Sequence, residues 1–308
     1  QLIAGKGDSG MRCLIVKTGE TELLRDSKIE GISDGEVFRS GVLLSRLLQR
    51  HDVYWYGAPK KLQALFPPQH NLHFVDSFED IGEPDVVFYL ERTDIPLPDK
   101  WKSKVRGFYL DGDHWRTNPR VPELEDIIYS TGRKVRLSHA HWLYKLCGMT
   151  WSGEPYWSYL RIGVGERRKV PLIGLNPRVG LKWPQKAWPM ERWWSLAKKL
   201  QNQGYEVTWQ PGGTMQSYVD WIYDLDLLIS VDTLGLHIAL GGRVPVIGLF
   251  GPTYPTEIPR WGVGLWLWER SGKMAHSVDR VFNVARNYLG AIRGGYIKGQ
   301  YDISLSNK

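Results

Sequence analysis

Cysteine is nearly absent: Cys13 and Cys147 are the only two in 308 residues. One falls in an expected strand and the other in an expected helix. This excludes a disulfide scaffold and a cysteine-ligated zinc site, and it predicts buried thiols in a reducing compartment. The chain also has no run of about 18 apolar residues, the length a membrane-spanning helix needs, and its first residues carry no signal-peptide core. The expectation is a cytoplasmic protein with at most peripheral contact at the inner face of the membrane. Residues 1–10 read as a leader and the last ~15 residues as a mobile tail. No period of about 20–50 residues recurs, which excludes a repeat array. No G-x-G-x-x-G element follows the first strand, which runs on as "KTGETEL", so an NAD oxidoreductase lacks its main signature. The net charge of +7 favours an anionic partner. Yet no dense Lys/Arg block is interleaved with aromatics, which makes nucleic acid the least favoured one. The only basic cluster, "GERRKVP" (165–171), reads as an interdomain linker.

What is present is ordinary in amount and unusual in one residue. With 42% hydrophobic and 24% charged residues the chain can fill two cores, and its length predicts two domains of about 100–200 residues each. Fifteen tryptophans are the anomaly. Those in "KWPQKAWP", "ERWW" and "MTWSGEPYW" either line a sugar site or are plain core. In a first domain, 11–160, "MRCLIVKT", "DVYWYGA", "LHFVDS", "PDVVFYLE" and "VRGFYLD" read as strands. Helices are expected at "EVFRSGVLLSRLLQR", "PKKLQALF" and "SHAHWLYKLCGM". In a second, 168–293, "VPLIGLNP", "YEVTWQ", "DLLISV", "PVIGLF" and "WGVGLWLW" read as strands. Its helices are "ERWWSLAKKLQNQ", "MQSYVDWIYD", "LHIALGG" and a closing one at about 277–290. Strands alternating with helices predict α/β architecture, with parallel sheets covered on both faces.

In such sheets ligands bind at the carboxyl ends of the strands. Two segments of the second domain lie there. "SVDTLGLH" offers the backbone N–H groups of a helix start, a site suited to a diphosphate. Thr233 can add a hydroxyl, Gly235 lets the backbone come close, and Asp232 orients loop groups or contacts a sugar hydroxyl. The plain alternative is an Asp/Thr helix cap. "GLNPRVGLKWPQKAWP" (174–189) adds the cations Arg178, Lys182 and Lys186, which a leaving nucleoside diphosphate requires as it gains charge; its alternative is a solvated basic loop. Two "D-x-D" triplets, Asp111–Asp113 and Asp224–Asp226, are weak metal signals. The first reads as a turn or an acceptor contact, and the second begins a buried strand.

"GLNPRVGLKWPQKAWPMERWWSLAKKL" together with "DLLISVDTLGLHIALGGRVPVIGLFGPT" resembles glycosyltransferase family 9, the family of the lipopolysaccharide heptosyltransferases. "MRCLIVKT" and "GEVFRSGVLL" resemble that family's first strand and its "G-D-V" helix opening. The resemblance spans about residues 11–261. It implies a GT-B fold, with two Rossmann-like domains facing across a cleft, the donor on the second and the acceptor on the first. It further implies inverting transfer of a sugar, a heptose in the named members, without metal or other cofactor. The partners implied are a nucleotide-sugar donor, an ADP-sugar by preference, and a glycan, glycolipid or small-molecule acceptor.

The family's general base maps onto Glu36, with Asp34 as the competing carboxylate and a dipole-complementing acid as the plain reading. Its phosphate lysine maps onto Lys186, with Lys182 one "WP" earlier as the alternative register. The full donor-binding set is Asn176, Arg178, Lys182, Lys186, Asp232, Thr233, Leu234, Gly235 and His237. One departure is "WQPGGTMQSYVDW", which has no acid for the ribose until Asp220 and leaves the nucleoside open. A sugar-nucleotide epimerase and a catalytically weak sugar-nucleotide binding protein are the rival readings.

Overall fold

The computed structural model describes residues 10–19, 34–122, 124, 137–158, 168–181 and 183–296. The leader and tail expectations fall outside these residues, save at their inner edges. The chain divides into two compact units, Gln1–Trp157 with Thr256–Ile258, and Ser158–Pro255 with Pro259–Lys308.

The first unit holds a six-stranded sheet of β1 (Arg12–Val16), β2 (Asp52–Tyr56), β3 (Leu72–Val75), β4 (Val86–Tyr89), β5 (Val105–Asp111) and β6 (His114–Asn118). Its order is β3-β2-β1-β4-β5-β6. The first five strands are parallel, and β6 pairs antiparallel with β5. "HWRTN" is too polar to read as a strand by itself. The hairpin makes it one: Asp111 pairs with His114, and Gly112, at φ 59°, takes the first central turn position, which asks for glycine in a II′ hairpin. "DGD" is therefore a hairpin turn.

The helix expected from residue 36 to 50 is broken. It comprises α1 (Asp34–Ser40), a 3-10 turn at Gly41–Leu43 and α2 (Leu44–Leu47). The cause is local. Ser40 Oγ donates back to the Glu36 carbonyl at 2.9 Å, and Gly41 lies so close to Phe66 that a Cβ would come within 2.4 Å of the ring. α3 (Lys60–Gln63) and α4 (His139–Leu146) are further helices of this unit. Phe38, Trp55 and Phe66 pack ring on ring beneath them. Cys13 and Cys147 are free and buried, and burial pushes the Cys13 thiol up to about 12, so neither is a reactive thiolate.

The second unit is a five-stranded, wholly parallel sheet of β7 (Leu172–Asn176), β8 (Glu206–Trp209), β9 (Leu227–Val231), β10 (Val246–Phe250) and β11 (Gly264–Trp268), in the order β11-β10-β9-β7-β8. β9 and β10 are buried at every residue, as strands covered on both faces must be. Side chains alternate across the sheet. Ile173, Leu175, Ile247 and Leu249 share one core with α5 (Met190–Asn202) and α8 (Val278–Arg293). On the other face, Gly174 and Gly248 make room for Leu225 and Trp221 at the end of α6 (Met215–Asp224) and for Leu236 of α7 (Leu234–Gly241).

Each sheet has one point where the strand order reverses, between β1 and β4 in the first and between β7 and β9 in the second. Loops leaving such a pair diverge to opposite faces and open a crevice at the carboxyl ends, where doubly wound sheets bind ligands.

Candidate functional site

At the second reversal the carboxyl ends of β7 and β9 are joined by side chains. Asn176 ends β7 and is wholly buried. Its Nδ2 donates to Ser230 Oγ at 2.8 Å and Thr233 Oγ1 at 3.1 Å, while its Oδ1 accepts from Tyr218 Oη at 2.8 Å. Ser230 Oγ in turn donates to the Val231 carbonyl at 2.6 Å. Burial pushes the Tyr218 phenol above its usual range, so it stays a donor. Thr233 is the N-cap of α7, with extended backbone and no side-chain cap hydrogen bond. Its hydroxyl faces Asn176 instead, which rules out the simple cap reading.

Gly235 sits directly under this network. A Cβ there would lie 2.1 Å from Tyr218 Oη and 2.7 Å from Asn176 Nδ2. Gly235→Ala should therefore push Tyr218 off Asn176 and cost about 1–3 kcal/mol of stability, the usual range for overpacking. Urea unfolding measures it. A variant as stable as the parent, with nucleoside diphosphate binding intact, would remove Gly235 from the site.

The cation of the site is Lys186, which ends a 3-10 turn at Pro184–Lys186. Its Nζ donates to Asp232 Oδ2 at 2.7 Å and to the Asp232 carbonyl at 3.2 Å, and it lies 5.6 Å from the Trp183 ring. Both side chains of the ion pair are nearly buried, at 14% and 10% exposure. Lysine has three N–H donors and these contacts take two. Asp232 thus holds Lys186 at the start of α7, whose first backbone N–H groups have no intrahelical acceptor.

The other expected residues are brought in to different degrees. Leu234 and Gly235 form the first turn of α7. His237 is buried, with Nε2 3.8 Å from Asp232 Oδ1, too far for a hydrogen bond. Arg178 is tied to the segment after β8: its backbone N–H donates to Gln210 Oε1 at 3.2 Å and its Nη1 to the Pro211 carbonyl at 3.3 Å. Lys182 lies outside the described residues. "DLD" sits at the opposite, amino ends of the strands. There Asp224 accepts from Arg168 at 2.6 Å and Asp226 from the Leu172 backbone at 2.8 Å. Among the described residues no three His, Cys, Asp or Glu side chains cluster as a metal site.

In the first unit Glu36 lies in the first turn of α1 with its side chain one-third exposed, and its Oε2 is 3.8 Å from Lys17 Nζ. Asp34 is bound instead to Lys61 of α3 at 2.6 Å. Sequence reasoning missed Lys17 and Glu91, as it missed Tyr218 and Ser230. The signals were a lone lysine closing the apolar run "CLIVK" and a lone glutamate closing "VVFYLE".

Comparison with known proteins agrees with this layout. The sequence model of glycosyltransferase family 9 (heptosyltransferase) matches residues 210–284, which contain the Asp232–His237 turn. No curated protein sequence matches the chain significantly. Among solved structures, a family 9 glycosyltransferase from Veillonella parvula has a TM-score of 0.59 at 16% identity, covering 92% of this chain and 98% of that one. The Escherichia coli heptosyltransferase WaaC, solved with ADP, has a TM-score of 0.59 at 14% identity, covering 90% and 100%. The iron-containing dodecameric glycosyltransferase TibC of enterotoxigenic E. coli has a TM-score of 0.53 at 14% identity, covering 83% of this chain and 62% of that one. The family 9 (heptosyltransferase) segment thus lies within a two-unit α/β fold like that of these glycosyltransferases.

Proposed function

We propose that this protein is a glycosyltransferase that moves a sugar, a heptose, from an ADP-sugar to a hydroxyl of a glycan or glycolipid, with inversion and without a metal. The observation that carries the reading is the Lys186–Asp232 pair at the start of α7, beside the strand-order reversal of the second sheet. The third N–H of Lys186 and the first-turn amides of α7 are donors for a diphosphate, and they stabilise the charge that grows there as the glycosidic bond breaks. The acceptor oxygen attacks the anomeric carbon from the opposite side, the bond to the diphosphate breaks, and the hydroxyl proton passes to a carboxylate. Glu36 is that carboxylate, and inversion follows from the single displacement. No acid follows "PGG" until Asp220 to grip a ribose, so the preference for ADP rests on WaaC, which was solved with it. Action at the cytoplasmic face of a membrane is part of the same proposal. No helix among the described residues is long and apolar enough to cross one.

A thermal-shift screen of ADP, UDP, GDP and CDP, followed by their sugars, tests the donor: ADP and ADP-heptose should raise the melting temperature most. Transfer should then continue in excess EDTA, since the cations and amides of the site do the work of a metal. TibC contains iron, which makes this arm discriminating. Activity abolished by EDTA and restored by a divalent ion would overturn the metal-free reading. Consumption of the donor with no acceptor present, giving an isomeric nucleotide-sugar, would favour an epimerase.

A further inference from the structure

The first sheet's reversal, between β1 and β4, holds a buried ion pair that the transfer scheme does not use. Glu91, 2% exposed, lies just beyond β4, and Lys17, 7% exposed, just beyond β1. Glu91 Oε1 accepts from the backbone N–H of Thr18 at 2.6 Å and of Gly19 at 2.8 Å, and from Thr18 Oγ1 at 3.2 Å. Its Oε2 accepts from Lys17 Nζ at 3.2 Å. Four donors satisfy the carboxylate and hold it in place across the crevice. Lys17 is held as firmly: Nζ also reaches the Leu90 carbonyl at 3.5 Å, and the Lys17 carbonyl accepts from Trp55 Nε1 at 3.0 Å. From this anchored position Nζ lies 3.8 Å from Glu36 Oε2, in ion-pair range but short of a hydrogen bond.

We infer that Lys17 is a positioning residue for Glu36, with Glu91 as its anchor: a fixed buried ammonium that aims the Glu36 carboxylate and keeps it ionised for proton abstraction. The inference rests on the reading of Glu36 as base. One lysine lies between the two carboxylates. Glu91 is committed to the loop after β1, so the proton-accepting member is the more exposed Glu36. Without Lys17 the two acids would confront each other, and one would hold a proton. The other charges around α1 are differently engaged. Asp34 pairs with Lys61 of α3. Arg39 closes α1, and α4, packed on α1, brings His139, His141 and Lys145. Tyr156 meets the Phe38 ring. Among the described residues, Lys17 lies within ion-pair distance of Glu36.

Carbon NMR of protein labelled at glutamate side-chain carboxyls tests this without a substrate, with Glu36→Gln identifying the resonance. In Lys17→Met the Glu36 carboxyl should titrate at a pH higher by about one unit, the lower end of what a lost neighbouring cation does. Lys17→Arg should restore the parental titration. Lys17→Met leaves Glu91 buried and unpaired and is the variant at risk of misfolding. Lys17→Met/Glu91→Gln removes both charges while keeping an acceptor for Thr18 and Gly19, and should move Glu36 the same way by less. An unchanged Glu36 titration in either folded variant overturns the inference, whatever the base is. Turnover of ADP-heptose separates the two readings. If Glu36→Gln is inactive and Lys17→Met is fully active, the positioning role fails and the base stands. If Glu36→Gln is fully active, both fall.

Discussion

Glu36→Gln should lower turnover by about 10²–10⁴-fold, the range for losing a general base, while ADP affinity stays at its parental value. Glutamine keeps the length and shape of the side chain and cannot accept the proton. The proposed donor residues belong to the second unit and Glu36 to the first, so the loss should appear in kcat and not in calorimetric ADP binding. Glu36→Asp is the sharper comparison. The family's base is an aspartate, but here the ammonium of Lys17 lies 3.8 Å from the longer side chain. Shortening it by one methylene withdraws the oxygens from that cation, so aspartate should be impaired too. Asp34 is the control. It is tied to Lys61 at 2.6 Å, and Asp34→Asn should leave turnover near the parental rate. A fast Glu36→Gln enzyme with a slow Asp34→Asn one would transfer the role two residues back.

How far the sequence carried this argument differs between the fold and the site. Strands such as "DLLISV" and "PVIGLF" are mostly apolar because both faces are covered, and that signal survives in the sequence alone. β6 did not survive it. "HWRTN" is a polar edge strand, made a strand by its hairpin partner, and pairing is not visible in local pattern. The break in the helix after Ser40 depends on Phe66, 25 residues further on, pressing against Gly41. Tryptophan was legible only as a question. Trp188 and Trp193 are core and pack edge to face, whereas Trp183 stands half-exposed beside Lys186.

For the candidate site, family likeness pointed to Lys186, Asp232 and Glu36, because each lies in a motif of contiguous residues. It could not find what holds them. Tyr218 reaches Asn176 across 42 residues and Glu91 reaches Lys17 across 74. Such partners follow from sheet order: residues far apart in the chain meet wherever strands β7 and β9, or β1 and β4, lie side by side. A lone charged residue at the end of an apolar strand is the trace this leaves in a sequence. It becomes readable once the strand order is known.

Lys186→Ala should weaken ADP binding by roughly 1–3 kcal/mol, the worth of a charged hydrogen bond, or about 5–150-fold in Kd. Two effects contribute. The ammonium that meets the diphosphate is gone, and Asp232, 10% exposed, is left without the cation 2.7 Å away that offsets its charge. The second effect can be separated. In an Asp232→Asn background no bare carboxylate remains, so the same lysine truncation should cost less, and the two changes should be non-additive as direct contacts are. Asp232→Asn alone should weaken ADP only modestly, because the Asp232 carbonyl still accepts from Lys186 at 3.2 Å and the amides of α7 are untouched. Isothermal calorimetry with ADP over the four proteins of the cycle measures each term. Unchanged affinity in Lys186→Ala would remove this lysine from the donor site and pass its role to Lys182. Additive losses would instead mean that Asp232 contacts the ligand by itself and does not act by holding Lys186.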